Sequence, residues 1–595
     1  MPSNVQSKSA EHGLHRIFLL LTACAAGMAT LLALLPAAGH DQLWFLLMAH
    51  RWLQGSQLYG PQVFDSNPPG IVWLSAIPIL LAHALRLPIT IAAKLVVILA
   101  ESSASLLSLH FLRYARGIKA RYELLALLFA AFLLFYLAPA RDFGQRDHIL
   151  SFLVLPYILA ATVDPKQHRL TLARCLAGIT AATGICLKPH HALVILAVEL
   201  ALLLNRAPQG LKPDKARVPQ DLKPGKAQVP QGLKPGKAQV PQGLKPDKAR
   251  VPQGFSLGSH GLDKEEGALA PVLWPTRLRR LLRPEPILIA LLGLLYLAAI
   301  HRLTPLYFTL ALPTLHDTYW AIGNLTLPAL LFQAIELVLL AAISLILFAR
   351  TSPRSPVVAL LLVAGLASTA AYLLQGTGWY YQQLPAIAFF GAALTLQLLD
   401  LLAAHLRTIP RWLTLATAAL CLLALVLTAH FTGYPFTRAR IYAPVFADAS
   451  MPDPSLFTPN TSVAILTTSV EASMMSVERY DLTWAQRTNN LWLLPAILRS
   501  ESPGDHTPNH IIPPAQLAAL DAMQHRWMVE DLTRWHPTLI LVERCQDPAV
   551  HCQKLEDRHD NLLAWFQRDP AFATLWTHYT YAGERGHFGA YILNP

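Results

Sequence analysis

The chain has 595 residues, 53% of them hydrophobic and only 14% charged, with a formal net charge of +12. So little charge excludes an ordinary soluble protein of this length. The positive balance does not indicate nucleic acid as a partner, because the lysines and arginines gather in short loops between apolar runs and in one repetitive insert, as positive-inside asymmetry requires.

Twelve apolar segments are expected, at 17–36, 68–84, 89–111, 122–140, 148–163, 170–187, 190–205, 286–300, 326–348, 356–374, 383–404 and 411–429. Basic residues precede the first and no small-residue cleavage site ends it, so it reads as a membrane helix rather than a removed signal peptide. Basic flanks place the N-terminus, 110–121, 164–169, the insert, 348–354 and 405–411 on the cytoplasmic side. The N-terminus and 110–121 then share a side only if 17–36, 68–84 and 89–111 make an even number of crossings. The segment 68–84 opens on Pro68-Pro69-Gly70 and contains Pro78. It is expected to be a juxtamembrane or re-entrant helix, which leaves about eleven crossings and an outer C-terminus.

The outward end of the first helix leads into GHDQLWFLLMAHRWLQGSQLYGPQVFDSNPPG, residues 39–70. Asp41 stands before an amphipathic stretch and is either its helix N-cap or a functional carboxylate, the two being compatible. Asp65 precedes the prolines, where it either opens the turn or contributes to a site. Three further polar groups fall on the same outer side: RDFGQRDH (141–148), LKPHH (187–191) and QGTGWYYQQLP (375–385). Arg146 and Asp147 pair with each other, sit among headgroups or belong to a site. Lys188 is a snorkelling interfacial lysine or a phosphate ligand. Trp379, Tyr380 and Tyr381 form an aromatic belt or pack on a sugar or an isoprenoid chain. Polar groups at membrane depth are costly, and their gathering on one face predicts a polar cavity.

Residues 209–252 are four copies of an 11-residue unit such as QGLKPDKARVP. Two prolines in each unit forbid a continuous helix, so a basic, extended or disordered cytoplasmic insert is expected over 209–283. It divides a membrane module into 1–208 and 284–434. From 435 to 595 the composition becomes that of a soluble α/β or α+β domain. There, 463–469 and 537–544 read as strands, and 513–535 and 559–569 as helices. Cys545 and Cys552 are placed to pair in an oxidising compartment, while the other four cysteines lie in membrane segments.

Taken jointly, these outer residues fit group transfer from a lipid-linked phosphate. A half-buried carboxylate serves as general base. Lys188, His190, His191 and Arg146 supply positive charge for a phosphate. The motifs G-H-D-x-x-x-F, F-D-S-N-P-P-G, G-Q-R-D-H, L-K-P-H and Q-G-x-G-W-Y-Y resemble the membrane glycosyltransferases of the GT-C superfamily. They are most similar to the bacterial branch of protein-mannosyltransferase and aminoarabinose-transferase relatives, over about residues 15–430.

The resemblance implies a polytopic α-helical membrane fold with juxtamembrane helices in the first outer loop, in a bacterial cytoplasmic membrane. It also implies a polyprenyl-phosphate-sugar donor and inversion at the anomeric carbon. It assigns Asp41 as base or acceptor-orienting carboxylate and Asp147, beside Arg146, as the second acid, with Asp65 structural or donor-binding. The acceptor stays open among lipid, glycan and protein. One departure is that relatives carry Q-G-K-G-x-x-Y-H where this chain has Gln375-Gly376-Thr377-Gly378-Trp379-Tyr380-Tyr381-Gln382. A lysine and a histidine are therefore missing from the presumed phosphate region. A divalent cation held by Asp41, Asp147, His40 and His148 is chemically allowed, with no spacing that fixes it. The alternative function is a lipid-linked glycan polymerase, flippase or transporter, although the chain lacks the duplicated halves common in transporters.

Overall fold

In the computed structural model the described residues are 2–34, 39–118, 120–139, 142–163, 170–204, 282–323, 325–351, 354–405, 411–433, 455, 457–502, 511–555 and 557–595. The eleven-residue repeats, the basic stretch 164–169, most of the loop 405–411 and the linker after 433 lie outside them. Before the insert the chain forms α1 (Pro2–Leu34), the amphipathic α2 (His40–Leu53), α3 (Gly70–Leu85), α4 (Ile89–Arg116) and α5 (Arg121–Phe132). These are followed by α6 (Arg146–Ala160), α7 (Thr171–Leu187) and α8 (Ala192–Leu204). After it come α9 (Pro284–Leu303), α10 (Leu312–Thr318), α11 (Leu327–Gln333), α12 (Ile335–Arg350), α13 (Pro356–Gln375), α14 (Leu384–His405) and α15 (Arg411–Gly433).

Among the described residues, five helices are by themselves long and apolar enough to cross a membrane: 11–30, 89–116, 284–303, 356–375 and 380–403. The apolar helices at 70–85, 171–187, 189–204 and 412–423 are shorter. At 16 residues, α3 is about 24 Å long, less than the roughly 30 Å of a hydrocarbon core. Its Gly70 lies against Tyr296 of α9, whose hydroxyl accepts the Gly70 N–H at 3.1 Å, so the Pro-Pro-Gly fixes where α3 starts.

Two helical features differ from expectation. The segment expected at 326–348 is two helices, α11 and α12, bent by 81° at Ala334. Residues 304–325, where no segment is expected, hold a π-helical turn at Tyr307–Ala311 and then α10. Its continuous helical part, Tyr307–Thr318, has twelve residues, too few for a span, and Thr314 and Thr318 satisfy their hydroxyls on the Leu310 and Thr314 carbonyls.

Nearly every residue of α6 is buried, polar ones included, as fits an apolar helix enclosed on all sides. At the edge where the insert departs, Arg174 of α7 pairs with Glu285 of α9 at 2.6 Å, and Arg283 pairs with Glu199 of α8.

The C-terminal part is a mixed five-stranded sheet with strand order β2-β1-β3-β5-β4. Here β1 (Ser462–Leu466), β2 (Thr483–Trp484) and β3 (Leu539–Glu543) run parallel, and β4 (Tyr579–Arg585) and β5 (Phe588–Leu593) complete it antiparallel. The chain leaves β1 through α16 (Val470–Tyr480), and α17 (Leu494–Glu501) and α18 (Pro514–Trp535) precede β3. All five β3 residues are buried, as expected of a central strand covered on both faces. Cys545 and Cys552, just beyond β3, are bonded as a disulfide.

This sheet shares one apolar core with the first loop. Phe64 packs against Trp492 and Trp527, with ring centroids 6.1 and 4.5 Å away, and its N–H donates to the Arg487 carbonyl at 2.8 Å. Arg51 of α2 donates to the carbonyls of Trp484 and Gln486 at 2.5 and 2.8 Å and lies over the Trp535 ring.

Candidate active site

A cavity of about 240 Å³ lies where the outer loops of the helical part meet the C-terminal sheet. On the helical side it is lined by Asp41, Asp65, Asn67, Arg146, Lys188 and the Trp379–Gln382 stretch, with Tyr319. On the sheet side it is lined by Thr468, Glu471, Asn489, Asn490, Trp492 and the 553–554 pair. Seven of the residues singled out from sequence therefore face one space: Asp41, Asp65, Arg146, Lys188, Trp379, Tyr380 and Tyr381.

Asp41 lies inside the first turn of α2. The N-cap is Gly39, and no side chain caps the helix. The Asp41 carboxylate is thus left to the helix N-terminus, where the macrodipole favours a negative charge, and to its neighbours. Its Oδ2 is 4.0 Å from an Arg146 nitrogen and its Oδ1 is 3.5 Å from His40 Nε2. His40 Nδ1 in turn lies 3.7 Å from Glu471 of α16. A chain of polar contacts thus runs Arg146–Asp41–His40–Glu471, from the helical wall to the sheet wall.

Arg146 is the first residue of α6. It donates to the Asn67 carboxamide oxygen, and its guanidinium covers the Phe45 ring at 5.0 Å. Lys188 ends α7 and is buried. Its Nζ lies 3.1 Å from Asp147 Oδ2 and 3.2 Å from Gln375 Oε1, with the Tyr381 ring 5.6 Å away. Burial lowers the Lys188 pKa, and the Asp147 carboxylate opposes that shift. A buried lysine 3.1 Å from a carboxylate is not the snorkelling lysine that its place at a helix end allowed.

Asp65 is held on both oxygens. Trp44 Nε1 donates to Oδ2 at 2.5 Å and the Asn67 N–H donates to Oδ1 at 2.6 Å, closing the turn before the prolines. Burial raises its pKa against the pull of these donors and of Arg146.

Three expected site residues lie elsewhere. Asp147 has no exposed surface and sits behind the cavity wall, facing Lys188 on one oxygen and His191 Nε2 at 3.7 Å on the other. The reason is geometric. Arg146 and Asp147 open the same helix about 100° apart, so when Arg146 faces the cavity Asp147 turns into the core. His191 is fully buried with it, and the exposed His190 does not line the cavity.

The four residues offered for a divalent cation do not converge. His148 uses both ring nitrogens, accepting from the Gly144 N–H at 3.0 Å and bonding the Phe135 carbonyl at 2.8 Å, while Asp147 faces Lys188. Glu543, Cys545 and Cys552 do converge, but the two sulfurs form the disulfide and offer no thiolate.

The 375–382 stretch owes its shape to two glycines. Gly376 and Gly378 have φ of 68° and 72°, and a Cβ at 378 would overlap the Gln333 carboxamide at the end of α11. Thr377 Oγ1 donates to Gln382 Oε1 at 2.6 Å, and Tyr380 donates to the Ala138 carbonyl at 2.7 Å.

The sheet-side lining was not anticipated from sequence. Its signal is the polar run Gln486-Arg487-Thr488-Asn489-Asn490, flanked by apolar residues. All five are buried, and Arg487 is anchored on Asp531 at 2.8 Å and Glu530 at 2.6 Å.

No protein-family model matches this chain, and no curated protein matches it. Among solved structures it is similar to ArnT from Cupriavidus metallidurans bound to undecaprenyl phosphate, with TM-score 0.44, 12% identity, and 96% of this chain and 97% of that one covered. It is also similar to the archaeal oligosaccharyltransferase AglB from Archaeoglobus fulgidus in complex with an inhibitory peptide and a dolichol-phosphate, with TM-score 0.40, 12% identity, and 97% and 74% covered.

Proposed function

We propose that the protein is an inverting glycosyltransferase that moves a sugar from a polyprenyl-phosphate-linked donor to an acceptor at the outer face of a bacterial cytoplasmic membrane. The observation that carries this is one cavity in which a carboxylate, Asp41, stands 4.0 Å from a guanidinium, Arg146, with the buried ammonium of Lys188 in the same wall. Two cations suit a phosphate that gains charge as it leaves, and a carboxylate beside them suits a base for the incoming hydroxyl.

In this mechanism the acceptor oxygen attacks the anomeric carbon, and a new C–O bond forms. The bond from that carbon to the phosphate oxygen breaks. The hydroxyl proton goes to the Asp41 carboxylate, and the polyprenyl phosphate departs with the electron pair, its charge met by Arg146 and Lys188. Asp147 acts through Lys188, holding the ammonium charged and in place. Asp65 shapes the turn that carries Asn67 to Arg146. No step is routed through a metal, because the residues that offered to hold one do not converge.

The test is transfer from a labelled polyprenyl-phosphate sugar in membranes. Asp41→Asn should lower it by about 10²- to 10⁴-fold with protein level unchanged. Undiminished transfer by that variant would overturn the assignment.

A further inference from the structure

The sheet side of the cavity is built where α/β proteins bind ligands. The strand order puts β2 on one side of β1 and β3 on the other, so the chain reverses direction across the sheet at the carboxyl end of β1. A crevice outside the carboxyl ends of parallel strands at such a point is the general ligand position in open α/β sheets. All three parallel strands send their following segments to this crevice: Thr468 and Glu471 after β1, Asn489 and Asn490 after β2, and Gln553 after β3.

A second observation is independent of topology. Asn490 is only 6% exposed, and its Nδ2 donates to the Thr468 carbonyl at 2.6 Å, yet its Oδ1 has no hydrogen-bond partner. A buried carboxamide oxygen left without a donor costs free energy unless a ligand supplies one.

We propose that this wall is the acceptor subsite and that it takes a neutral, hydroxyl-rich acceptor, the sugar end of a glycan. The proposal rests on the transferase function above. Displacement with inversion puts nucleophile and leaving group on opposite sides of the anomeric carbon. Arg146 and Lys188 mark the leaving side. Asp41 lies between them and the sheet wall in the contact sequence Arg146–Asp41–His40–Glu471. The hydroxyl that gives its proton to Asp41 therefore enters from Thr468, Asn489 and Asn490. Hydroxyl and carboxamide groups with Trp379 nearby match sugar hydroxyls and a ring face. The Glu471 carboxylate on this wall is balanced by Lys554, whose Nζ lies over the Trp379 ring at 5.4 Å, so the wall offers no net positive charge to an anionic acceptor such as a phosphate.

The test uses the full chain in lipid nanodiscs with two probes. Saturation-transfer NMR reads binding of methyl hexosides, with glucose 1-phosphate as the anionic comparison, and a separate assay reads binding of undecaprenyl phosphate. Ring protons of a methyl hexoside should receive saturation from the wild-type protein. Asn490→Ala should weaken that binding about fivefold and leave undecaprenyl phosphate binding unchanged. Gln553→Ala, at an exposed side chain where misfolding is not at issue, should weaken hexoside binding in the same direction. The proposal falls if no methyl hexoside binds, if both variants bind it as wild type does, or if only the anionic probe is held. If undecaprenyl phosphate binds while hexosides do not, the acceptor subsite fails and the transferase stands. If the wild-type protein does not bind undecaprenyl phosphate, the transferase itself fails.

Discussion

Lys188 sits in a place that works against its charge. Burial pulls its pKa down, and the Asp147 carboxylate 3.1 Å away is the largest influence in the other direction. Only the protonated form attracts a phosphate, and it is lost as pH rises through the folded pKa. Removing the Asp147 charge lowers that pKa further. Asp147→Asn should therefore move the alkaline limb of undecaprenyl phosphate binding to lower pH and leave binding in mildly acidic buffer near wild type. A titration of binding against pH checks this, and a profile that scales down uniformly without shifting would rule out a positioning role. Asp41 and Asp147 look alike in sequence, each an acid beside a basic residue at a helix start. What separates them is the direction in which each helix turns its second residue.

The stretch 375–382 and the bent pair α11–α12 interlock as elements, because Gly378 leaves room for Gln333. Gly378→Ala should cost at least about 1 kcal/mol from left-handed backbone alone, before the overlap with Gln333 is counted. A lowered melting temperature together with lost transfer is the expected result, read by thermal unfolding in detergent and by the labelled-donor assay. The apolar helices here were legible from composition, since 356–374 and 383–404 foresaw α13 and α14 to within one residue at each end. Run length and composition mark such helices and are displayed directly by sequence, although α9 and α13 share a length of 20 residues and only α13 is largely buried. The bend at Ala334 was not legible, because both halves are apolar and the break is a tertiary accommodation. The sheet wall was hidden for a different reason. Thr468, Asn490 and Gln553 are far apart in the chain, and only the order of the strands brings them to one edge.

At the scale of the whole molecule, the described residues of 1–202 and 280–595 form one compact unit. The Glu199–Arg283 and Arg174–Glu285 ion pairs hold that unit together at the point where the insert leaves and returns. Excising the repeats at 209–252 should thus leave expression, melting temperature and transfer unchanged, because surface insertions add little to loop-closure entropy. A loss of transfer at normal expression would give the repeats a part in the reaction. The shared core has a practical consequence for swapping parts between such proteins. Phe64 and Arg51 are built into the sheet, so a graft of the C-terminal region alone would strip away the aromatic seat of Phe64 and the carbonyls that Arg51 holds. The piece that can be transplanted is discontinuous: the loop from α2 to Asn67 has to travel with the sheet, and a chimera cut at the composition boundary near 435 should fold poorly however similar its donor.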